Sequence, residues 1–124
     1  MPFYRLVMMQ VSHAGNLAFV PEDCPYKKIE ANKAILAQDI PNYDMSQHFD
    51  EAIAFIEEQL NAGRNLLVHC HAGVSRSATV MIAYLMTKNQ WNYDDALAFL
   101  RTKRKWVRPN PGFEKQLRDY EARL

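Results

Sequence analysis

His69-Cys70-His71-Ala72-Gly73-Val74-Ser75-Arg76-Ser77 links an apolar run, Leu66-Leu67-Val68, to a second run that continues through Val80, Met81, Ile82, Leu85 and Met86. The first run reads as a short buried strand, and Ser77 to Met86 reads as a helix packed against it. The nine residues centred on Gly73 therefore turn from strand into helix. Such a turn aims backbone N–H groups into its hollow, and the helix N-terminus adds partial positive charge, so residues 71 to 76 form an anion cradle. Gly73 lets the backbone bend where a Cβ would resist, so successive N–H groups can converge. Arg76 closes the hollow, because its planar fork can hold two oxygens of one phosphate where a lysine offers a point charge.

Cys70 stands where the strand ends and the cradle begins. The positive field that holds a phosphate also stabilises a thiolate, so the Cys70 pKa is expected to be low. Ser77 puts a hydroxyl at the helix start, within reach of the sulfur, where it would ease departure of the thiolate later in a reaction. A buried structural thiol is the ordinary role of an isolated cysteine, but a core thiol has no need of an arginine six residues on in a glycine-containing turn.

Composition sets bounds around this centre. With 124 residues and 48% hydrophobic content, the chain suits one compact domain, 1–124, with its own core. The formal net charge of +1 gives no global electrostatic case for nucleic acid or lipid as an obligate partner. Cys24 and Cys70 are the two cysteines, and a reactive Cys70 needs a reducing compartment, so cytosol or nucleus is expected. No targeting or membrane segment is expected, because the apolar run from Phe3 to Val11 is short and interrupted by Arg5 and Gln10.

In chain order, Phe3 to Val11 suits a strand covered on both faces, residues 12–16 a turn, Leu17 to Val20 a second strand and Tyr26 to Ala31 another. Residues 32–45 read as a surface loop. From Phe49, the residues Phe49, Ala52, Ile53, Ile56 and Leu60 share one helical stripe, opened by an Asp44/Gln47 capping box and stopped at Gly63. Asn65 to His69 is the strand that delivers Cys70, and the helix after the cradle runs to about Lys88. Asn92 caps a further helix ending near Lys103, with Tyr93, Ala96, Leu97 and Leu100 inward. Asn110 caps the last, with Pro111 at its first position and Phe113, Leu117, Tyr120 and Leu124 as its stripe. Early strands and late helices imply an α/β fold, a central mostly parallel sheet flanked by helices.

The Cys-x5-Arg-Ser loop preceded by His69 resembles the signature of the cysteine-dependent protein tyrosine phosphatases, and Ala72-Gly73-Val74-Ser75-Arg76-Ser77 is similar to the dual-specificity branch. The resemblance runs from roughly Asp39 to Leu117 and fades over the first thirty or so residues. It implies the phosphatase fold in an N-terminally shortened form, since members usually begin with a further strand or two and a helix. A sheet surface left uncovered in that way is expected to be buried by self-association, as a homodimer.

The resemblance also supplies what the cradle lacks. Attack by a thiolate on a phosphate monoester needs a proton for the departing oxygen. In the family that proton comes from an Asp on a loop before the long helix, which corresponds to Asp39. Asp44 competes for the role but is better placed as the helix cap. Without the resemblance, Asp39 is an ordinary loop carboxylate. The resemblance further implies that His69 orients the loop and tunes Cys70, and that Asn110 supports the phosphate loop while its local role is to cap a helix. The side chains of His71 and Val74 take rim or packing positions. Cys24 reads as a plain loop cysteine, with a resolving thiol as the alternative. The basic run 101–108 reads as a solvated helix end, with acidic protein segments or lipid headgroups as the competing reading.

The expected activity is hydrolysis of phosphotyrosine and phosphoserine or phosphothreonine in a phosphorylated protein substrate, through a phosphocysteine on Cys70. Arg76 and the backbone of 71–76 would hold the phosphate, with Asp39 as acid and Ser77 assisting. No cofactor or metal is expected, nor a nucleic-acid or membrane partner. The alternatives are a non-protein phosphate as substrate (phosphoinositide, glycan or RNA 5′ end) or a catalytically weak phosphate-binding module. Against the latter stands the full set of Cys70, Arg76 and Asp39, since a binder needs only the cradle.

Overall fold

The computed structural model describes residues 14–19, 31–35, 37–62, 65–70 and 75–124. Three strands, β1 (Ala14–Phe19), β2 (Ala31–Ala34) and β3 (Asn65–Cys70), form a parallel sheet in the order β2-β1-β3. In the register of the β1 and β3 pair, Gly15 faces Leu66 and Phe19 faces Cys70, so Cys70 stands at the carboxyl end of the sheet. Four helices follow the first two strands: α1 (Phe49–Asn61), α2 (Arg76–Asn89), α3 (Tyr93–Lys103) and α4 (Pro111–Glu121). Parallel strands need a long crossover between them, and α1 lies in the crossover from β2 to β3, against β1 and β3.

The core is built around α2. Ten consecutive residues, Ser77 to Met86, are buried, as expected of a helix that is apolar on every side. It touches β1, β3, α1, α3 and α4. At its far end Gln90 takes the left-handed conformation, φ 57° and ψ 41°, and the N–H of Trp91 reaches back to the Met86 carbonyl. Phe49, Ala52 and Ile56 of α1, Tyr93, Ala96 and Leu100 of α3, and Phe113, Leu117 and Tyr120 of α4 fill the space around it. The Phe49 and Tyr120 rings meet edge to face at 5.1 Å.

Several local expectations need correction. Residues 14–16, expected in a turn, open β1, and 32–34, expected in a loop, lie in β2. Asp44 does not cap α1. Its carboxylate accepts from the Ser46 hydroxyl and its carbonyl accepts from the Gln47 side chain. Together they shape a 3₁₀ turn, Ser46–His48, that precedes the helix. Gln59, outside the apolar stripe of α1 named above, is nonetheless buried, and Leu124, expected on the stripe of α4, lies beyond its end and is exposed. The strand expected over Phe3–Val11, the stretch 20–30 with Cys24, and the Gly63 stop lie outside the described residues. Among the described residues no helix is long and apolar enough to cross a membrane.

Candidate active site

The site starts at the junction of β3 and α2. Cys70 is buried at the last position of β3, and its Sγ lies 3.3 Å from the Oγ of Ser77, itself fully buried in the first turn of α2. The strand carries the sulfur to the carboxyl end of the sheet, and α2 begins six residues later at Arg76. The cradle residues between them, His71, Ala72, Gly73 and Val74, lie outside the described residues, as does the side chain of His69.

The end of the cradle is described. Ser75 stands at the N-cap of α2, yet its hydroxyl does not cap the helix; it accepts the backbone N–H of Asn110 at 3.0 Å. Its carbonyl takes both the N–H and the hydroxyl of Thr79. Arg76 is part-buried. Its Nη1 donates to the carbonyl of Ala37 at 3.0 Å, while its Nε is buried with no acceptor among the described residues. A buried donor in that condition costs about 1–3 kcal/mol until an acceptor arrives. An oxyanion seated beside the guanidinium supplies one.

Asn110 joins the parts. Its Oδ1 accepts from the N–H of Phe113 and so caps α4, its backbone N–H holds Ser75, and its Nδ2 donates to Asp39 Oδ1 at 2.9 Å. The expected cap of α4 is present, and the same residue is also bonded to Ser75. The third bond, to Asp39, was not foreseen. It fastens an exposed carboxylate to the rim of the junction that bears Cys70 and Arg76, across 71 positions of sequence. Asp44, the competing carboxylate, is spent on the 3₁₀ turn.

The segment between Asp39 and α1 is held by a residue that sequence reasoning missed. The Oε1 of Gln116, on α4, accepts from the N–H of Met45 at 2.8 Å and of Ser46 at 3.2 Å, and its Nε2 donates to the Tyr43 carbonyl at 2.8 Å. No local pattern announces such a role, because a polar residue on an amphipathic helix reads as solvent-facing. The turn between α3 and α4 carries Trp106, 65% exposed, with the Lys105 ammonium 4.7 Å from its ring centroid. Among the described residues no three His, Cys, Asp or Glu side chains converge as a metal site would require.

The family described as dual specificity phosphatase, catalytic domain, matches residues 6–123, so the likeness does not fade over the first thirty residues as expected. MAP kinase phosphatase with leucine-rich repeats protein 3 of Dictyostelium discoideum is 42% identical over 106 residues, covering 86% of this chain and 12% of that protein. Human dual specificity protein phosphatase 22 is 46% identical over 87 residues, covering 70% of this chain and 47% of that protein. The chain thus spans less than half the length of either relative. The crystal structure of human DUSP28 superposes with a TM-score of 0.82 at 31% identity, covering 88% of this chain and 74% of that one.

Proposed function

The chain belongs to the dual specificity phosphatase catalytic-domain family, and we propose that it hydrolyses phosphotyrosine and phosphoserine or phosphothreonine in protein substrates through a phosphocysteine on Cys70. In the first step the Cys70 thiolate attacks phosphorus as the P–O bond to the substrate breaks, and Asp39 gives its proton to the departing oxygen. The backbone N–H groups of residues 71 to 76 and the Arg76 guanidinium hold the three equatorial oxygens. In the second step water attacks the phosphocysteine, Asp39 takes a proton from it, and Cys70 leaves as thiolate with Ser77 donating to the sulfur. His69 orients the loop from the strand side. The reaction uses no metal.

One observation carries this reading: Asn110 holds both the Asp39 carboxylate and the Ser75 hydroxyl. A lone loop carboxylate would have no reason to share its hydrogen-bond partner with Ser75, near the end of the anion cradle. The bond engages Oδ1 of Asp39, so Oδ2 is the oxygen to carry the transferred proton.

The test is an assay of wild type and Cys70→Ser against phosphotyrosyl and phosphothreonyl peptides, a phosphoinositide and a 5′-triphosphate RNA, with EDTA present. Wild type is expected to turn over both peptides, whereas Cys70→Ser binds phosphate and turns over nothing. Activity retained by Cys70→Ser would end the covalent mechanism. Turnover confined to the lipid or the RNA would move the substrate to the non-protein class.

A further inference from the structure

The segment from Ala37 to Ser46, which carries Asp39, is gripped along its length by groups distant in sequence. Arg76 holds the carbonyl of Ala37, Asn110 holds the carboxylate of Asp39, and the Gln116 side chain holds Tyr43, Met45 and Ser46. Between these points the first turn of α4 presses on the segment directly. A Cβ on Gly112 would fall 1.8 Å from the carbonyl oxygen of Pro41 and 2.5 Å from its carbonyl carbon, so only glycine allows this approach. The N–H of Tyr43 closes a turn onto Ile40, and Met45, between the two N–H groups that Gln116 accepts, is wholly buried.

Two features separate this brace from ordinary packing. Three of its members, Asn110, Gly112 and Gln116, come from one helix and its cap, so α4 holds the segment at three separate points. The Gln116 amide also satisfies three backbone groups at once with both of its polar atoms, which fixes the loop in direction as well as distance. Asp39 itself is exposed and reaches the described site through one bond, to Asn110. Its position therefore depends on where the following backbone is held. A shift of about 1 Å in a reacting group is enough to cost on the order of 100-fold in rate.

We propose that Gln116, assisted by Gly112, is a positioning residue for proton donation: it sets the backbone of residues 41–46 so that the Asp39 carboxyl stands over the leaving-group oxygen. The proposal rests on Asp39 being the acid. It makes α4 part of the catalytic apparatus although none of its side chains touches substrate.

A purely structural role would lower all activities together, whereas a role in positioning the acid acts through the leaving group. The experiment measures kcat and KM on a phosphothreonyl peptide, whose alkoxide needs the proton, and on an aryl phosphate with an acidic phenol, which barely does. Melting curves and orthovanadate binding are recorded alongside. Gln116→Met, of similar volume without the amide, is expected to lower kcat on the peptide about 10- to 100-fold. It should leave the aryl substrate within roughly threefold, with KM and vanadate affinity unchanged. Gln116→Glu keeps an acceptor for Met45 and Ser46 but loses the donor to Tyr43, and should fall between the two. Gly112→Ala, which pushes Pro41 away, should reproduce the split by a different route. In an Asp39→Asn background Gln116→Met should add less than about twofold, because the two act through one step.

Equal loss on both substrates, or a full additive loss in the Asp39→Asn background, would overturn the proposal. If Asp39→Asn itself fails to split the substrates, the acid assignment falls. If Asp39→Asn splits them and neither Gln116→Met nor Gly112→Ala does, the acid stands and the brace is structural only.

Discussion

Ser77 donates or accepts across 3.3 Å to a buried sulfur, and the two steps of the proposed mechanism ask different things of that contact. In the proposed first step a hydrogen bond to the Cys70 thiolate would stabilise the reactant and gain nothing for attack. In the proposed second step, hydrolysis of the phosphocysteine, the same bond would stabilise the leaving thiolate. A hydrogen bond to a charged group contributes about 1.5–3 kcal/mol, which converts to roughly 10- to 100-fold in the second step. Ser77→Ala should therefore show a burst of alcohol or phenol release followed by a slow steady state, with trapped phosphoenzyme visible by mass spectrometry after acid quench. Absence of a burst would remove Ser77 from the second step. At this scale the sequence was legible where the chemistry is local. Cys70, Ser75, Arg76 and Ser77 lie within eight positions, and strand-turn-helix reading brings them together. Asp39 required the family resemblance, because nothing within ten residues of it distinguishes it from a solvated carboxylate. The link from Asn110 to Asp39 and the grip of Gln116 join residues about seventy positions apart, and a glutamine on a helix carries no mark of what it faces.

Helix boundaries follow from short-range forces, and they were read closely from the chain. Asn92 accepts from the N–H of Asp95 and Asn110 from that of Phe113, each at the cap its residue type favours. Strands were harder, since β1 opens on Ala-Gly-Asn and β2 is Ala-Asn-Lys-Ala, neither carrying the β-branched alternation that marks a strand. Both pair through registers set by partners far along the chain. The start of α1 misled for another reason: the Asp44/Gln47 spacing fits a capping box, but the Asp44 carboxylate turns to Ser46 instead. One helix end departs from the preferred pattern. Gln90 occupies the left-handed C-cap of α2, a conformation that glycine adopts without a Cβ penalty. Gln90→Gly should raise stability by about 0.5–1 kcal/mol in urea titration with an unchanged m-value. A lower midpoint would show that the glutamine side chain holds the cap by contacts that outweigh the strain.

The candidate site is drawn from β3, the α2 N-terminus, the 37–46 segment and the α4 cap, so it exists only when most of the chain is folded. α4 cannot be a detachable appendage, because Phe113 and Leu117 are fully buried in the core that α2 organises. Occupying the site with an oxyanion should accordingly stabilise the whole molecule. At a hundred times its dissociation constant, orthovanadate is expected to add about 2.7 kcal/mol and raise the melting temperature by several degrees. Arg76→Ala should abolish the shift. A rise confined to one part of the molecule, seen as a split transition, would show that the site and the core unfold separately.

The ring of Trp106 stands in solvent on the turn four residues before Asn110, under a lysine ammonium, while Trp91 is part-buried against Phe99 with ring centroids 5.3 Å apart. These are the two tryptophans of the chain. Replacing Trp91 by phenylalanine would leave a lone tryptophan on that turn, water-exposed and red-shifted, with a cation close enough to perturb its emission. Arrival of an acidic peptide at this turn that draws the lysine away would then register directly as a change in light output, giving an optical readout of docking separate from turnover.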